Sequence, residues 1–231
     1  LKAILALCIL FSTLAACEAA GAGRYGPALD IYFVRHAETV YNRTHIKSRA
    51  NKRTLSSEGK RQVRALTKKL AGRRFDHILV SPKIRAMKTI LPYLRKYHRM
   101  AEIWPELEEC CWQKRKSGSP SGRLAQGDKI VIPPAMRAYF RFRNSASQRR
   151  YAPANYADGL VQVRKCMRLI NKRFSRSGKS ILIVGHYHAG ARLIDILQGR
   201  RPRGSIHLSN AKISHLRESG AGIYRIISLN Q

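Results

Sequence analysis

The run Ile31-Tyr32-Phe33-Val34 leading into Arg35-His36 constrains this chain more than any other stretch. Four consecutive apolar residues, β-branched or aromatic, suit a strand buried on both faces, as in the parallel sheet of an α/β protein. In open α/β sheets ligands bind outside the carboxyl ends of the strands, so a guanidinium and an imidazole delivered there face a pocket. Arginine offers a planar fork of donors for phosphate oxygens, and a neutral histidine nitrogen can attack phosphorus and carry the phosphoryl group. A histidine after a strand is more often structural or solvated, so the reading depends on support from the rest of the chain.

Later segments repeat the theme in order. Residues 41–54 are polar and basic and read as a loop crossing the pocket mouth. Leu55-Ser56-Ser57-Glu58-Gly59 opens a helix with a serine N-cap, and Val63, Leu66 and Leu70 share its apolar face. His77-Ile78-Leu79-Val80 is a second buried strand ending in Ser81-Pro82. The next helix, with Ile84, Met87 and Leu91 inward, places Arg85 near an N-terminus that favours anions. Ala101-Glu102-Ile103-Trp104 reads as a third strand, followed by Glu106, Glu108 and Glu109 in a chain short of acids. A carboxyl group with a raised pKa protonates a leaving oxygen; the competing reading is a solvated acidic turn paired with Lys and Arg. Residues 159–174 have helical periodicity. Ser180-Ile181-Leu182-Ile183-Val184 is the clearest strand of the chain, and it runs through Gly185-His186 into a helix expected near Ala189. His188 reads as a lining or structural residue. Residues 205–229 read as short strands closing the sheet edge.

At 231 residues, without internal repeats, one core and one catalytic domain over residues 29–231 are expected. The 45 Lys and Arg against 13 Asp and Glu give a formal net charge of +32, which favours anionic partners without constraining the fold. Phosphorylated small molecules, an anionic envelope polymer, anionic lipid and nucleic acid all satisfy it. Within residues 113–156 basic residues cluster around a single acid, Asp128, up to residue 150, with Gly and Pro breaks; this reads as an insertion forming a lid over the pocket. Tyr139, Phe140 and Phe142 at helical spacing would pack it onto the body, which disfavours nucleic-acid stacking.

Residues 1–16 have the form of a signal peptide, a lysine before a short apolar run and then small residues. Leu14-Ala15-Ala16-Cys17 looks like a bacterial lipobox, which implies lipidation at Cys17, residues 17–28 as a tether, and a periplasm-facing lipoprotein of the cell envelope. Glu18 after the cysteine points to the outer membrane. The remaining Cys110, Cys111 and Cys166 are odd in number and lack framework or zinc spacing, so no disulfide scaffold and no metal site is expected.

Together these segments resemble the histidine phosphatase superfamily, the group that includes the phosphoglycerate mutases. The resemblance rests on Val34-Arg35-His36-Ala37-Glu38-Thr39 with Asn42, on Leu55-Ser56-Ser57-Glu58-Gly59, on Ser81-Pro82 with Arg85-Ala86 and Thr89, on Leu107-Glu108-Glu109 and on Val184-Gly185-His186. Ala37 departs from the glycine most common there. The resemblance implies a three-layer α/β/α fold with a largely parallel, phosphoglycerate mutase-like sheet and the basic insertion over the pocket. It implies that His36 attacks phosphorus, that Arg35, Arg85 and His186 hold the phosphoryl oxygens with Thr39 and Asn42 nearby, and that Glu109 protonates the leaving group. Glu109 fits the motif best, although Glu106 and Glu108 can slip into register. No cofactor is implied. The expected activity is that of an exported, lipid-anchored phosphomonoesterase, a histidine acid phosphatase-like hydrolase, acting on a phosphorylated small molecule or phosphoprotein. The alternatives are a phosphomutase and a non-catalytic anion-binding envelope protein.

Overall fold

Successive side chains of a strand point to opposite faces, so a strand that is apolar throughout needs cover on both sides. Strands β1 (Asp30–Arg35) and β7 (Ser180–Gly185) lie side by side at the centre of the sheet in parallel register. Ile31, Phe33, Ile181 and Ile183 enter one buried cluster, while Val34, Leu182 and Val184 enter the other. A computed structural model describes residues 26–112, 119–121, 124–220 and 222–231. The expected signal peptide and Cys17 lie outside them.

The remaining elements in chain order are α1 (Val40–Thr44), α2 (Ser57–Leu70), β2 (His77–Val80), α3 (Ile84–Lys96), β3 (Ala101–Ile103), β4 (Gln126–Lys129), β5 (Phe140–Phe142), β6 (Arg149–Tyr151), α4 (Tyr156–Phe174), α5 (Tyr187–Leu197), β8 (Ile213–Gly220) and β9 (Ile223–Ser228). The main sheet runs β5-β3-β2-β7-β1-β8-β9. Its first five strands are parallel, and β8 and β9 close the other edge antiparallel. Residues of α2 and α3 pack in the cluster on one face, and residues of α4 and α5 in the cluster on the other. This is the expected three-layer α/β architecture, with the carboxyl ends of β1, β2 and β7 at one rim.

Several expectations need correction. Residues 41–54 are not all loop, because Thr39 caps the short helix α1. Helix α4 starts at Tyr156, where Asn155 accepts from the Asp158 N–H, and α5 starts at Tyr187. No described residue of the stretch read as a lid is among those lining the cavity where these strands end. Phe140 and Phe142 alternate about Arg141 in strand β5, which extends the main sheet beside β3; Met136 and Phe140 are buried in the core. The aromatic spacing was therefore the period of a strand rather than that of a helix. β4 and β6 form a separate two-stranded sheet.

Helix α2 shows how the sequence brings a distant segment to the rim where β1 ends. The Ser56 hydroxyl accepts from the Gly59 N–H at 2.9 Å and donates to the Glu38 carboxylate at 2.6 Å, while the Ser56 N–H donates to the Glu38 carbonyl. Gly59 makes this possible, since a Cβ there would lie 2.0 Å from the Glu38 carbonyl oxygen. Gly59→Ala is therefore expected to destabilise the chain by about 1–3 kcal/mol. Thermal denaturation reads this as a fall of roughly 2–4 °C per kcal/mol. An unchanged melting temperature would show that α2 shifts freely.

Candidate active site

Two imidazoles meet where the central strands end. His36 follows β1, and its backbone N–H donates to the Gly185 carbonyl at the end of β7, so the two strand ends are tied at the position that also delivers His186. Both rings are buried, with centroids 5.2 Å apart in an edge-on arrangement. His36 Nδ1 lies 2.8 Å from the Ala37 carbonyl oxygen. A carbonyl only accepts, so Nδ1 carries the hydrogen and the neutral ring keeps its lone pair on Nε2. Burial, then the charge of Arg85 and that of Arg35, holds the His36 pKa well below the ordinary histidine value, and the bond to Ala37 opposes them only in part. Burial and the two guanidinium groups thus favour the neutral ring, with its free lone pair on Nε2.

The surrounding backbone is fixed by groups from other elements. The Ala37 N–H donates to Thr89 of α3, whose hydroxyl donates to the Arg85 carbonyl. Asn210 donates its side-chain amide to the His36 carbonyl. His186 Nε2 lies 2.6 Å from the Ser81 hydroxyl at the end of β2. Burial, then the charge of Arg85, likewise lowers the His186 pKa well below the ordinary value. Its Nδ1 has no hydrogen-bond partner among the described residues, and His186 is one of the residues around a void of about 10 Å³ rather than of those lining the larger cavity beside His36.

Arg35 is anchored by donating to the Leu208 carbonyl at 2.8 Å, and its guanidinium lies 4.9 Å from the Tyr187 ring centre. Arg85 stands in the first turn of α3. Arg35, His36, Arg85, Glu109, Thr39 and Asn42 line one cavity of about 450 Å³. Thr39 and Asn42 have another task in it: each side chain satisfies the other's backbone N–H in the capping box of α1, and the Thr39 hydroxyl also donates to the Asn42 side-chain oxygen. Only the amide nitrogen of Asn42 lies outside that cap. His188 lines the cavity too, as read from the sequence.

The three glutamates separate cleanly. Glu106 is paired with Arg143 at 3.1 Å and accepts from the Tyr151 hydroxyl; Glu108 is paired with Lys83 and with Arg150. Glu109 has no ion pair among the described residues. It opens onto the cavity, and its carboxyl accepts from the Ala189 N–H at the start of α5 at 2.9 Å. Burial raises its pKa, and the Ala189 N–H, the charge of Arg85, the His188 N–H and the charge of Arg35 offset that only in part. Arg143, read as part of a lid, is committed to Glu106 and packs over Trp104.

Sequence reasoning left unassigned several residues that shape the site. Ser81 orients His186, and Thr89 and Asn210 hold the backbone at His36 and Ala37. Tyr41, Lys47, Lys52, Trp112 and Tyr187 supply much of the outer wall. The basic character of residues 41–54 was the available signal for the two lysines. Among the described residues no group of three or more His, Cys, Asp or Glu is arranged to hold a metal.

A family model described as histidine phosphatase superfamily (branch 1) matches residues 31–231. No curated protein matches the chain. Among solved structures, an alpha-ribazole phosphatase from Shigella flexneri is 19% identical with a TM-score of 0.60, covering 87% of this chain and 96% of its own. A phosphoglycerate mutase from Bacillus anthracis is 16% identical with a TM-score of 0.60, covering 89% and 94%. A phosphoserine phosphatase from Entamoeba histolytica is 16% identical with a TM-score of 0.59, covering 88% and 97%. At these identities the likeness is one of fold.

Proposed function

This chain belongs to the histidine phosphatase superfamily, branch 1, and we propose that within it the chain is a phosphomonoesterase working through a phosphohistidine at His36. The observation that carries this reading is the hydrogen bond from His36 Nδ1 to the Ala37 carbonyl. It leaves Nε2 unprotonated in a cavity lined by two guanidinium groups and a carboxyl of raised pKa.

The steps follow from these groups. The phosphoryl oxygens of the substrate lie between Arg35 and Arg85, whose donors stabilise the charge that spreads over them in transfer. His36 Nε2 forms a bond to phosphorus as the bond to the ester oxygen breaks, and Glu109 delivers its proton to that oxygen. The Ala189 N–H, on one carboxyl oxygen, and the His188 N–H hold the Glu109 carboxyl in place as it gives the proton. Glu109, now a carboxylate, takes a proton from water as the water attacks phospho-His36, and phosphate and neutral His36 result. His186 does not line the cavity and has Nε2 engaged by Ser81, so a contact with a phosphoryl oxygen falls to Nδ1 and needs that buried nitrogen to be uncovered. That role requires a hydrogen on Nδ1 and a Ser81 hydroxyl donating to Nε2.

The purified chain, screened against phosphorylated small molecules and phosphopeptides, tests the reading through release of inorganic phosphate. Isomerised phosphoester in place of free phosphate would make the chain a mutase. Binding without turnover on every compound would make it an anion-binding protein.

We also propose that the chain is exported and lipid-anchored at Cys17 in a bacterial envelope, facing the periplasm, with the outer membrane favoured. The support is the sequence of residues 1–28 and a net charge suited to an anionic envelope polymer. Cys17→Ser is expected to move the protein from the detergent phase to the aqueous phase on detergent partition. Continued membrane association of that variant in high salt would overturn the anchor.

A further inference from the structure

The cavity is larger than a phosphoryl group requires. At about 450 Å³ it falls in the range that encloses a small organic ligand. The inner end, with Arg35, His36, Arg85 and Glu109, accounts for the phosphoryl group. The outer wall includes Tyr41, Lys47 and Lys52, all from the segment after β1, together with Trp112.

Lys47 and Lys52 differ from the other lysine of the cavity. Lys83 is neutralised by Glu108, whereas neither Lys47 nor Lys52 forms an ion pair among the described residues, and Lys52 lies 5.5 Å from the Tyr41 ring centre. Their segment is closed on itself. The Val40 N–H donates to the Thr54 carbonyl, the Tyr41 N–H to the Asn51 carbonyl, and the Asn51 side chain to the Ile46 carbonyl. Two ammonium groups are therefore carried on a braced loop, among the residues lining a cavity where Glu109 is the one acidic residue among those described. Like charges on one wall repel, and an anion entering between them removes that cost.

We propose that the substrate is a phosphomonoester whose body carries a second oxyanion, a carboxylate or a second phosphate, held by Lys47 and Lys52. This rests on the phosphatase reading and names its substrate class. It also moves the charge selection away from residues 113–156 to the loop after β1.

Two matched pairs of compounds test it. Phosphoserine and phosphoethanolamine differ by one carboxylate, and fructose 1,6-bisphosphate and fructose 6-phosphate by one phosphate. At low ionic strength kcat/KM is expected to be at least tenfold higher for the doubly anionic member of one pair, and which pair discriminates identifies the oxyanion. In the double variant Lys47→Gln, Lys52→Gln that ratio should fall to near one, and added salt should reduce it in the wild type, since exposed charges are screened. Equal rates within both pairs, or a ratio that survives the double variant, would overturn the inference. Calorimetric binding of the same compounds separates the two readings. Discrimination in binding without phosphate release would keep the second anion site and remove the phosphatase. Phosphate release without discrimination would do the reverse.

Discussion

Replacing His36 by alanine is expected to lower turnover by at least about 10⁴-fold, because it removes the atom proposed to form the covalent bond to phosphorus. Brief incubation of the wild type with a radiolabelled phosphomonoester should leave label that is lost in acid and kept in base, the stability of a phosphorus–nitrogen bond. The His36→Ala protein should carry none. His36 is buried and hydrogen-bonded, so thermal denaturation of the variant must accompany the assay, to separate a lost nucleophile from a lost fold. A folded variant that still takes up acid-labile label would remove His36 from the mechanism and leave His186, 5.2 Å away between ring centres, as the nitrogen to examine.

Glu109→Gln is expected to reduce kcat by about 10²–10⁴-fold on an alkyl phosphate, the usual worth of a positioned general acid. The loss should be far smaller on an activated aryl ester, whose leaving oxygen needs no proton. The pH profile gives the sharper test. A general acid acts while protonated, so activity is present below its pKa and falls as pH rises through it. Burial raises that pKa for Glu109 and so carries the active range further towards neutrality than an ordinary carboxyl allows. His36 works in the opposite sense: it is needed neutral, and its strongly lowered pKa keeps it so down to acid pH. The wild-type kcat profile should therefore fall on its alkaline side, and that fall should vanish in Glu109→Gln, since an amide does not titrate. An unchanged alkaline limb would assign it elsewhere. Glu106 and Glu108, held by Arg143 and by Lys83 with Arg150, are the carboxylates whose substitution would then be compared.

The aromatic segment at residues 139–142 shows where local pattern fails. Tyr139, Phe140 and Phe142 satisfy a helical spacing, yet Phe140–Phe142 is a three-residue strand, and so short a run cannot register its period against a single interruption. What makes it a strand is β3 beside it, reached some forty residues earlier in the chain. The short helix α1 was hidden for a related reason: its cap is a reciprocal bond between Thr39 and Asn42, two polar residues that read equally well as loop or as ligand contacts.

The sequence by itself determined the class of fold and the chemistry at the strand ends. Strands buried on both faces must be apolar throughout, and the residue that breaks such a run is carried to the rim of the sheet; hence Arg35, His36 and His186 were legible as a group from the chain alone. The serine cap of α2 was legible too, because capping is local. Tertiary structure alone decided which glutamate faces the cavity, since that depends on cations 25 to 42 positions away claiming the other two. It alone fixed the hydrogen of His36 on Nδ1, through the geometry of one carbonyl, and set Ser81 against His186 across 105 residues. And it alone put Lys47 and Lys52 on the cavity wall, because a loop's charge is written in its residues while the direction it faces is set by what packs beneath it.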